Sequence, residues 1–234
     1  MFPAVYNLTM KRCVIITSYI EGDLDEIYIP EPGDTVICAD NGYLAAVSAG
    51  IVPDLLIGDY DSLQTDLPGD IRHLTFPVHK DYTDTGLCLD WAHSGGYKNV
   101  SVIGGLGGRL DHTLANLQDL IGFSKRGLHV EMYDRINYVT VLEGPAETTL
   151  RADILRREKN GDPPVLLGED GPRLGLFAFS EAVSGIFSSG VEYPLSDAVL
   201  RYDFPLGSGN PFTEDEVHIR IEHGSLLVSI SDNR

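Results

Sequence analysis

A chain of 234 residues that is 43% hydrophobic and 22% charged holds enough apolar matter for one large domain or two modest ones, which excludes disorder as its main state. Thirty-five acidic residues against 17 basic ones give a net charge of −18 and a pI near 4.5, so the basic footprint of a nucleic-acid binder is missing. A polyphosphate ligand of such a chain needs a cation between anion and anion, and a divalent metal held by carboxylates is the usual device.

Residues 1–9 read as a loose extension ahead of the first strand. The N-terminal stretch carries no long apolar run, so neither a secretory signal nor a membrane span is expected, and the expected location is the cytoplasm. Strands are predicted over 13–17, 35–39, 55–57, 71–76, 100–103, 129–133 and 138–142, from short β-branched runs. Helices are predicted over 43–49, 83–94 and 111–126, each stopped by glycine. Strand alternating with helix implies α/β architecture: a mostly parallel sheet covered on both faces. The segment from Thr148 to Arg173 is charged and polar and reads as a mobile insertion. Short strands then follow at close spacing over 174–179, 185–188, 191–193, 198–202, 217–221 and 226–230, which suggests a small antiparallel sandwich or barrel. The expected division is therefore 1–142 as a catalytic α/β unit and 143–234 as a β-rich unit with a charged loop at 151–173. Cys13, Cys38 and Cys88 are far apart in apolar runs, as buried thiols rather than a disulfide or zinc framework would be.

The acids fall at strand ends. Asp40 follows the second strand, Asp59 and Asp61 the third, Asp81 and Asp84 the fourth, and Asp111 the fifth. In an open parallel sheet the carboxyl ends of the strands share one edge, where ligands bind. Carboxylates gathered there repel one another unless a cation neutralises them, and hard oxygen ligands suit magnesium. Any single one of these acids could instead cap the helix that follows, and Thr83 competes with Asp81 and Asp84 for that task. The turn Gly104-Gly105-Leu106-Gly107-Gly108-Arg109 offers unhindered backbone N–H groups and a guanidinium to a phosphate, although it matches neither common nucleotide fingerprint. Close chain packing is the other use of such glycines. His112 and Asn116, four apart on the following helix, share the face beside that turn.

Taken together, ADNGY, PDLLIGDYDS, KDYTDTGLCLDWA and GGLGGRLDHTLANL, followed by VSGIFSSGVEYPL, PLGSGNPF and HGSLLVSI, resemble the thiamine pyrophosphokinase (thiamine diphosphokinase) family over most of residues 12–230. The resemblance implies transfer of the β,γ-pyrophosphoryl group of ATP to the hydroxyethyl oxygen of thiamine, with Mg2+ and in a homodimer whose active sites lie between subunits. It implies that Asp59, Asp61, Asp81, Asp84 and Lys80 are catalytic, with Asp59, Asp61 and Asp81 on the metal. Asp40, Lys80, Arg109, Asp111, His112 and Asn116 would face ATP, and Ser208, Asn210 and Tyr193 would bind thiamine. Two positions depart from the family pattern. Asn41 stands where a second glycine is usual, a change that a left-handed backbone would tolerate, and Gly209 replaces a serine, which removes a hydroxyl from the acceptor side. Two alternatives are a pyrophosphokinase acting on another alcohol such as a pterin, which would reuse the acidic ATP site but against which the C-terminal part argues, and a catalytically silent binder of thiamine or nucleotide, which loss of metal ligands would favour, whereas none of the five aspartates is missing.

Overall fold

The interior strands carry apolar side chains on both faces, which only a sheet covered on both sides can satisfy. In the computed structural model, residues 11–58, 71–75, 82–156, 167–169 and 171–232 are described. The elements run β1 (Arg12–Ile16), α1 (Leu24–Ile27), β2 (Thr35–Ala39), α2 (Gly42–Ser48), β3 (Leu55–Gly58), β4 (His73–Thr75), α3 (Asp84–Ser94), β5 (Asn99–Ile103), α4 (Leu110–Lys125), β6 (His129–Tyr133) and β7 (Asn137–Glu143). The rest is all β: β8 (Ala146–Arg151), β9 (Arg173–Ala178), β10 (Ala182–Ser189), β11 (Ala198–Arg201), β12 (Gly207–Pro211), β13 (Glu216–Ile221) and β14 (Ser225–Ser231).

Ten strands form one sheet in the order β12-β9-β14-β7-β6-β5-β1-β2-β3-β4. The stretch from β6 to β4 is parallel. From β7 onward it turns antiparallel, so strands of the C-terminal half extend the sheet laid down by the N-terminal half. The sheet therefore runs unbroken past the boundary expected at 142/143. Cys13 and Ile15 of β1 point to the face covered by α3 and α4, where Leu89, Ala92 and Leu120 are buried. Val14 and Ile16 point to the other face, with α1, α2 and, further along, the inner face of a four-stranded antiparallel sheet, β11-β10-β13-β8. Along β13 the burial alternates, with Val217, Ile219 and Ile221 inward and Glu216, His218 and Arg220 outward. The expected sandwich is present, and one of its two sheets is the antiparallel end of the large sheet.

Local chemistry explains the boundaries. α2, α3 and α4 all end on a left-handed glycine, Gly50, Gly96 and Gly127. The next N–H, from Ile51, Tyr97 or Leu128, reaches back to Ala46, Ala92 or Phe123, the double-bonded ending that satisfies a helix's last carbonyls. Three sequence expectations need correction. Ala146–Arg151 is not part of an insertion but an edge strand, fully paired with β13: its Thr-Thr-Leu run suits a pleat even among charges. Its continuation through 157–166 lies outside the described residues. Val191 makes only an isolated bridge to Phe212 rather than a strand over 191–193. Gly207–Pro211 is a strand despite two glycines and a proline, which the sheet edge tolerates. None of the three cysteines forms a disulfide and all are buried, and burial pushes Cys13 and Cys38 up to about 12, so neither supplies a thiolate. Among the described residues no helix is long and apolar enough to cross a membrane.

At the amino end of β1, Arg12 donates Nε and Nη2 to Asp34 at 2.9 and 2.7 Å, while Tyr28 Oη and the Glu31 N–H add bonds of 2.7 and 3.0 Å. Burial alone would raise the Asp34 carboxyl, but these donors outweigh it and hold it below its ordinary 3.8. Asp34→Asn is expected to cost about 1–3 kcal/mol at pH 7. Because the folded carboxyl titrates below its unfolded value, that contribution is complete above about pH 4 and fades as the pH falls through the folded value. Denaturant melts should thus show wild type and variant converging in acid; an equal gap at pH 7 and pH 3 would contradict the assignment.

Candidate active site

Strand order reverses beside β1: β2, β3 and β4 add on one side of it, β5 and β6 on the other. At such a switch point the connections leave in opposite directions and open a crevice at the carboxyl ends. Here the crevice is a cavity of about 490 Å³. Thr17, Ser18 and Tyr19 leave β1 into it, Ala39 and Asp40 end β2, and Tyr82 to Thr85 begin α3 along its rim. Gly105, Gly107 and Arg109 come from the turn after β5, and His112, Ala115 and Asn116 from α4.

Missing Cβ atoms let these walls meet. A Cβ on Gly42 would lie 2.2 Å from the Ile16 carbonyl oxygen, one on Gly58 would lie 3.1 Å from Asp40 Cα, and one on Gly104 would lie 2.3 Å from the Tyr19 carbonyl oxygen. Asp40 itself adopts a left-handed backbone at φ 46°, while its N–H bonds to Ile57 O at 2.8 Å. A left-handed aspartate is tolerated because its short side chain bonds locally. Asn41, by contrast, is right-handed at φ −63°, so the left-handed tolerance invoked for it is not what the position uses.

The turn makes the same demand on all four of its glycines: 104, 105, 107 and 108 have positive φ. Gly107 and Gly108 lie on the Tyr19 ring, where added Cβ atoms would approach ring carbons to 3.2 and 2.9 Å. Buried Asn116 donates Nδ2 to the Gly105 carbonyl at 2.8 Å and fixes the turn from below. Arg109 is not extended into the crevice but folded onto Asp111, with bonds of 3.2 and 2.6 Å. The pairing raises the arginine and lowers the aspartate. Both side chains are about 70% exposed at 71% and 67%, so the pair adds little stability and its arginine is released cheaply. Thr83, not Asp84, supplies the side-chain cap of α3: its Oγ1 accepts from the Gly86 N–H at 2.8 Å. That leaves Asp84 in the first turn, lining the crevice.

Of the acids and bases expected here, Asp40, Asp84, Arg109, His112 and Asn116 come together in the crevice, and Asp111 sits behind Arg109. Asp59, Asp61, Lys80 and Asp81 lie outside the described residues. Among the described residues there is no group of three or more acidic, histidine or cysteine side chains arranged to hold a metal. Ser208, Asn210 and Tyr193 stand elsewhere, on and beside β12 at the far edge of the large sheet. Asn210 clamps the Tyr193 backbone twice: Oδ1 accepts from its N–H at 3.0 Å and Nδ2 donates to its carbonyl at 2.8 Å. The Tyr193 side chain is left exposed. Arg173 donates to the Gly209 carbonyl at 3.3 Å and to the Glu169 carbonyl, bracing the same strand.

Comparison with known proteins matches both regions. Residues 28–132 match the family model described as thiamin pyrophosphokinase, catalytic domain, and residues 157–226 the one described as thiamin pyrophosphokinase, vitamin B1 binding domain. The chain belongs to the thiamin pyrophosphokinase family. A thiamine pyrophosphokinase of Bacillus subtilis is 27% identical over 189 residues, 79% of either chain. Thiamin pyrophosphokinase 1 of Caenorhabditis elegans is 23% identical over 184 residues, 76% of this chain and 70% of the relative. The crystal structure of the Bacillus subtilis protein superposes with a TM-score of 0.77 at 22% identity, covering 96% of this chain and all of the other (100%). A solved structure of thiamin pyrophosphokinase from Candida albicans does so with 0.70 at 14% identity, covering 100% of this chain and 95% of the other. These superpositions show that the fold is the family's.

Within this thiamin pyrophosphokinase fold, sequence reasoning missed Thr17, Ser18, Tyr19 and Tyr82. A usable signal existed for the first three, since Thr-Ser-Tyr is a polar break directly after the buried run of β1, but the strand-end argument weighed only acids. The glycines make the clearest test. Gly104 and Gly209 share a positive φ, 82° and 72°, yet only Gly104 is crowded, and a Cβ on Gly209 meets nothing within 4 Å. Gly209→Ser is therefore expected to lose about 1 kcal/mol to left-handed strain, whereas Gly104→Ala, which must also displace the Tyr19 backbone, should lose about 3 kcal/mol or more. Equal losses in thermal melts would refute this account of the crevice.

Proposed function

We propose that this chain is an ATP:thiamine diphosphotransferase, giving thiamine diphosphate and AMP. The observation that carries the reading is a switch-point crevice which combines acids at two strand-to-helix turns with a glycine turn and the start of α4, inside a chain matched by both family models. The gathered chemistry suits a polyphosphate. The start of α4 favours an anion, Arg109 can exchange Asp111 for a phosphate oxygen, and the glycine turn before them is kept in shape by Asn116 and by the Gly104 and Gly105 N–H groups, which bond to the Tyr133 and Tyr19 carbonyls. The reaction is an attack by an alcohol oxygen on the β-phosphorus, so the protein's share of the work is alignment and charge neutralisation.

Magnesium fits the donors that are described. Asp40 and Asp84 are hard oxygen ligands on one crevice, the type that holds magnesium alongside substrate phosphates; Asp59, Asp61 and Asp81 are the further ligands we assign. When bound, the ion would neutralise charge on the phosphate oxygens during transfer.

On the acceptor side, we assign Ser208, Asn210 and Tyr193 to thiamine. Topology then supports a shared active site. β12 is five strand positions from β5 in the large sheet, roughly 24 Å at the usual inter-strand spacing. A nucleotide in the crevice and an acceptor at β12 of the same chain would be too far apart to react, so a homodimer in which one subunit's β12 faces the other's crevice is the arrangement we propose.

Incubation with ATP, thiamine and magnesium, followed by chromatography, should yield AMP and thiamine diphosphate in equal amounts; ADP with thiamine monophosphate would overturn the reading. Asp59→Asn or Asp61→Asn should lower turnover about a hundred-fold or more, and near wild-type turnover at saturating magnesium would remove them from the metal. Mixing an inactive Asp59→Asn chain with an inactive Asn210→Ala chain should recover up to about a quarter of wild-type activity, because half of the random dimers then hold one intact site of two. No recovery after subunit exchange would contradict the shared site.

A further inference from the structure

Asp119 belongs to none of the motifs and lies on α4, three residues after Asn116 and seven after His112. Those intervals place all three on one helix face, the face turned to the crevice. Its Oδ2 accepts from Thr83 Oγ1 at 2.8 Å, and that same Oγ1 accepts from the Gly86 N–H at 2.8 Å. A hydroxyl has one proton to give. With the proton committed to Asp119 and a lone pair to Gly86, the Thr83 side chain is held from both sides.

Gly86 makes room for this arrangement. A Cβ there would lie 2.9 and 3.2 Å from the two Asp119 oxygens, so the carboxylate occupies the space over the first turn of α3 that a side chain would otherwise fill. The partial positive charge of that helix start favours the anion, while burial pushes Asp119 up against the lowering effect of the Thr83 bond. Thr83 in turn lies between Tyr82 and Asp84, both of which line the crevice.

We infer that Asp119 is a positioning residue for the nucleotide half of the site: through Thr83 it fixes the start of α3 and so the direction in which Asp84 is presented. The inference rests on the reading of the crevice given above. It predicts a fault confined to nucleotide handling, since Thr83 and Asp84 belong to the crevice assigned to the nucleotide, whereas the acceptor residues are carried by a different element, β12.

The experiment is steady-state kinetics on the full chain with ATP, thiamine and magnesium. D119L, close in size but unable to accept a hydrogen bond, should raise the KM for ATP about ten-fold and leave the KM for thiamine within two-fold. T83V should do the same from the other end, and the double variant D119L/T83V should be no worse than the poorer single variant. D119N, whose carboxamide oxygen still accepts from Thr83, should return the ATP constant to within about two-fold of wild type. Equal rises in both constants, an unchanged ATP constant, or losses that multiply in the double variant would overturn the inference. If D119L does not fold, T83V and its rescue by T83S decide the question by the same constants. Calorimetric titration of wild type and D119L with magnesium ATP separates the two levels. A wild type that binds the nucleotide but makes no thiamine diphosphate overturns the proposed reaction, and the Kd of D119L still decides the role of Asp119.

Discussion

Backbone-to-backbone approach at the carboxyl edge of the sheet is the constraint on which the rest depends. Gly42 brings the start of α2 onto the Ile16 carbonyl, Gly58 brings the end of β3 onto Asp40, and Gly104 brings the β5 turn onto the Tyr19 carbonyl. The contacts at Gly42 and Gly104 are closer than any side chain permits, and that at Gly58 is tighter than most side chains allow. Without them the connections from β1, β2, β3 and β5 would stand several ångströms apart, and the side chains they carry could not serve one ligand. The crevice is thus defined by atoms that are missing, and its polar groups are arranged on a frame that is already set.

The second organising fact is that one sheet serves two architectures. Parallel strands buried on both faces create the switch point; β7 then reverses, and β14, β9 and β12 carry the same sheet into a sandwich whose partner is the four-stranded sheet. Tyr138 and Leu142 contribute to that interior while Val139 and Val141 lie under α4. β7 is therefore core on both sides, and neither half is complete without it. This rigid linkage is also what separates Asn210 from His112 within a single chain.

Much of this was legible in the sequence, for identifiable reasons. The strands β1, β2 and β5 announce themselves because short runs rich in Val and Ile have few other uses, and the three helix ends follow from Gly50, Gly96 and Gly127 as left-handed stops. Asp40, Asp84, His112 and Asn116 were found by asking what stands just past a strand or on the face beside a turn. What escaped had its signal masked by composition. β8 was hidden by Glu147, Arg151 and the charged stretch that follows, because an edge strand facing water has no need of an apolar outer face. β12 was hidden by glycine and proline, residues excluded only from sheet interiors. Asp119 gave no sign at all, since its partner Thr83 is 36 residues away and nothing in one chain's local pattern reports a contact of that kind. Arg109 was read as reaching for a ligand, whereas in the structure the nearest anion, Asp111 two residues on, holds it.

The direction of the helices has an electrostatic consequence. Because each follows a parallel strand, α3 and α4 both begin at the crevice and end at the opposite edge of the sheet. Their aligned peptide dipoles present roughly half a positive charge apiece at close range, inside a molecule whose total is −18. An approaching polyanion therefore meets two fields of opposite sign, repulsive at a distance and attractive within the last few ångströms. Mobile ions extinguish the first beyond about 10 Å at 0.1 M salt and barely touch the second. Capture of a polyphosphate by this fold should consequently quicken as moderate salt is added, the reverse of the behaviour of a basic binding protein.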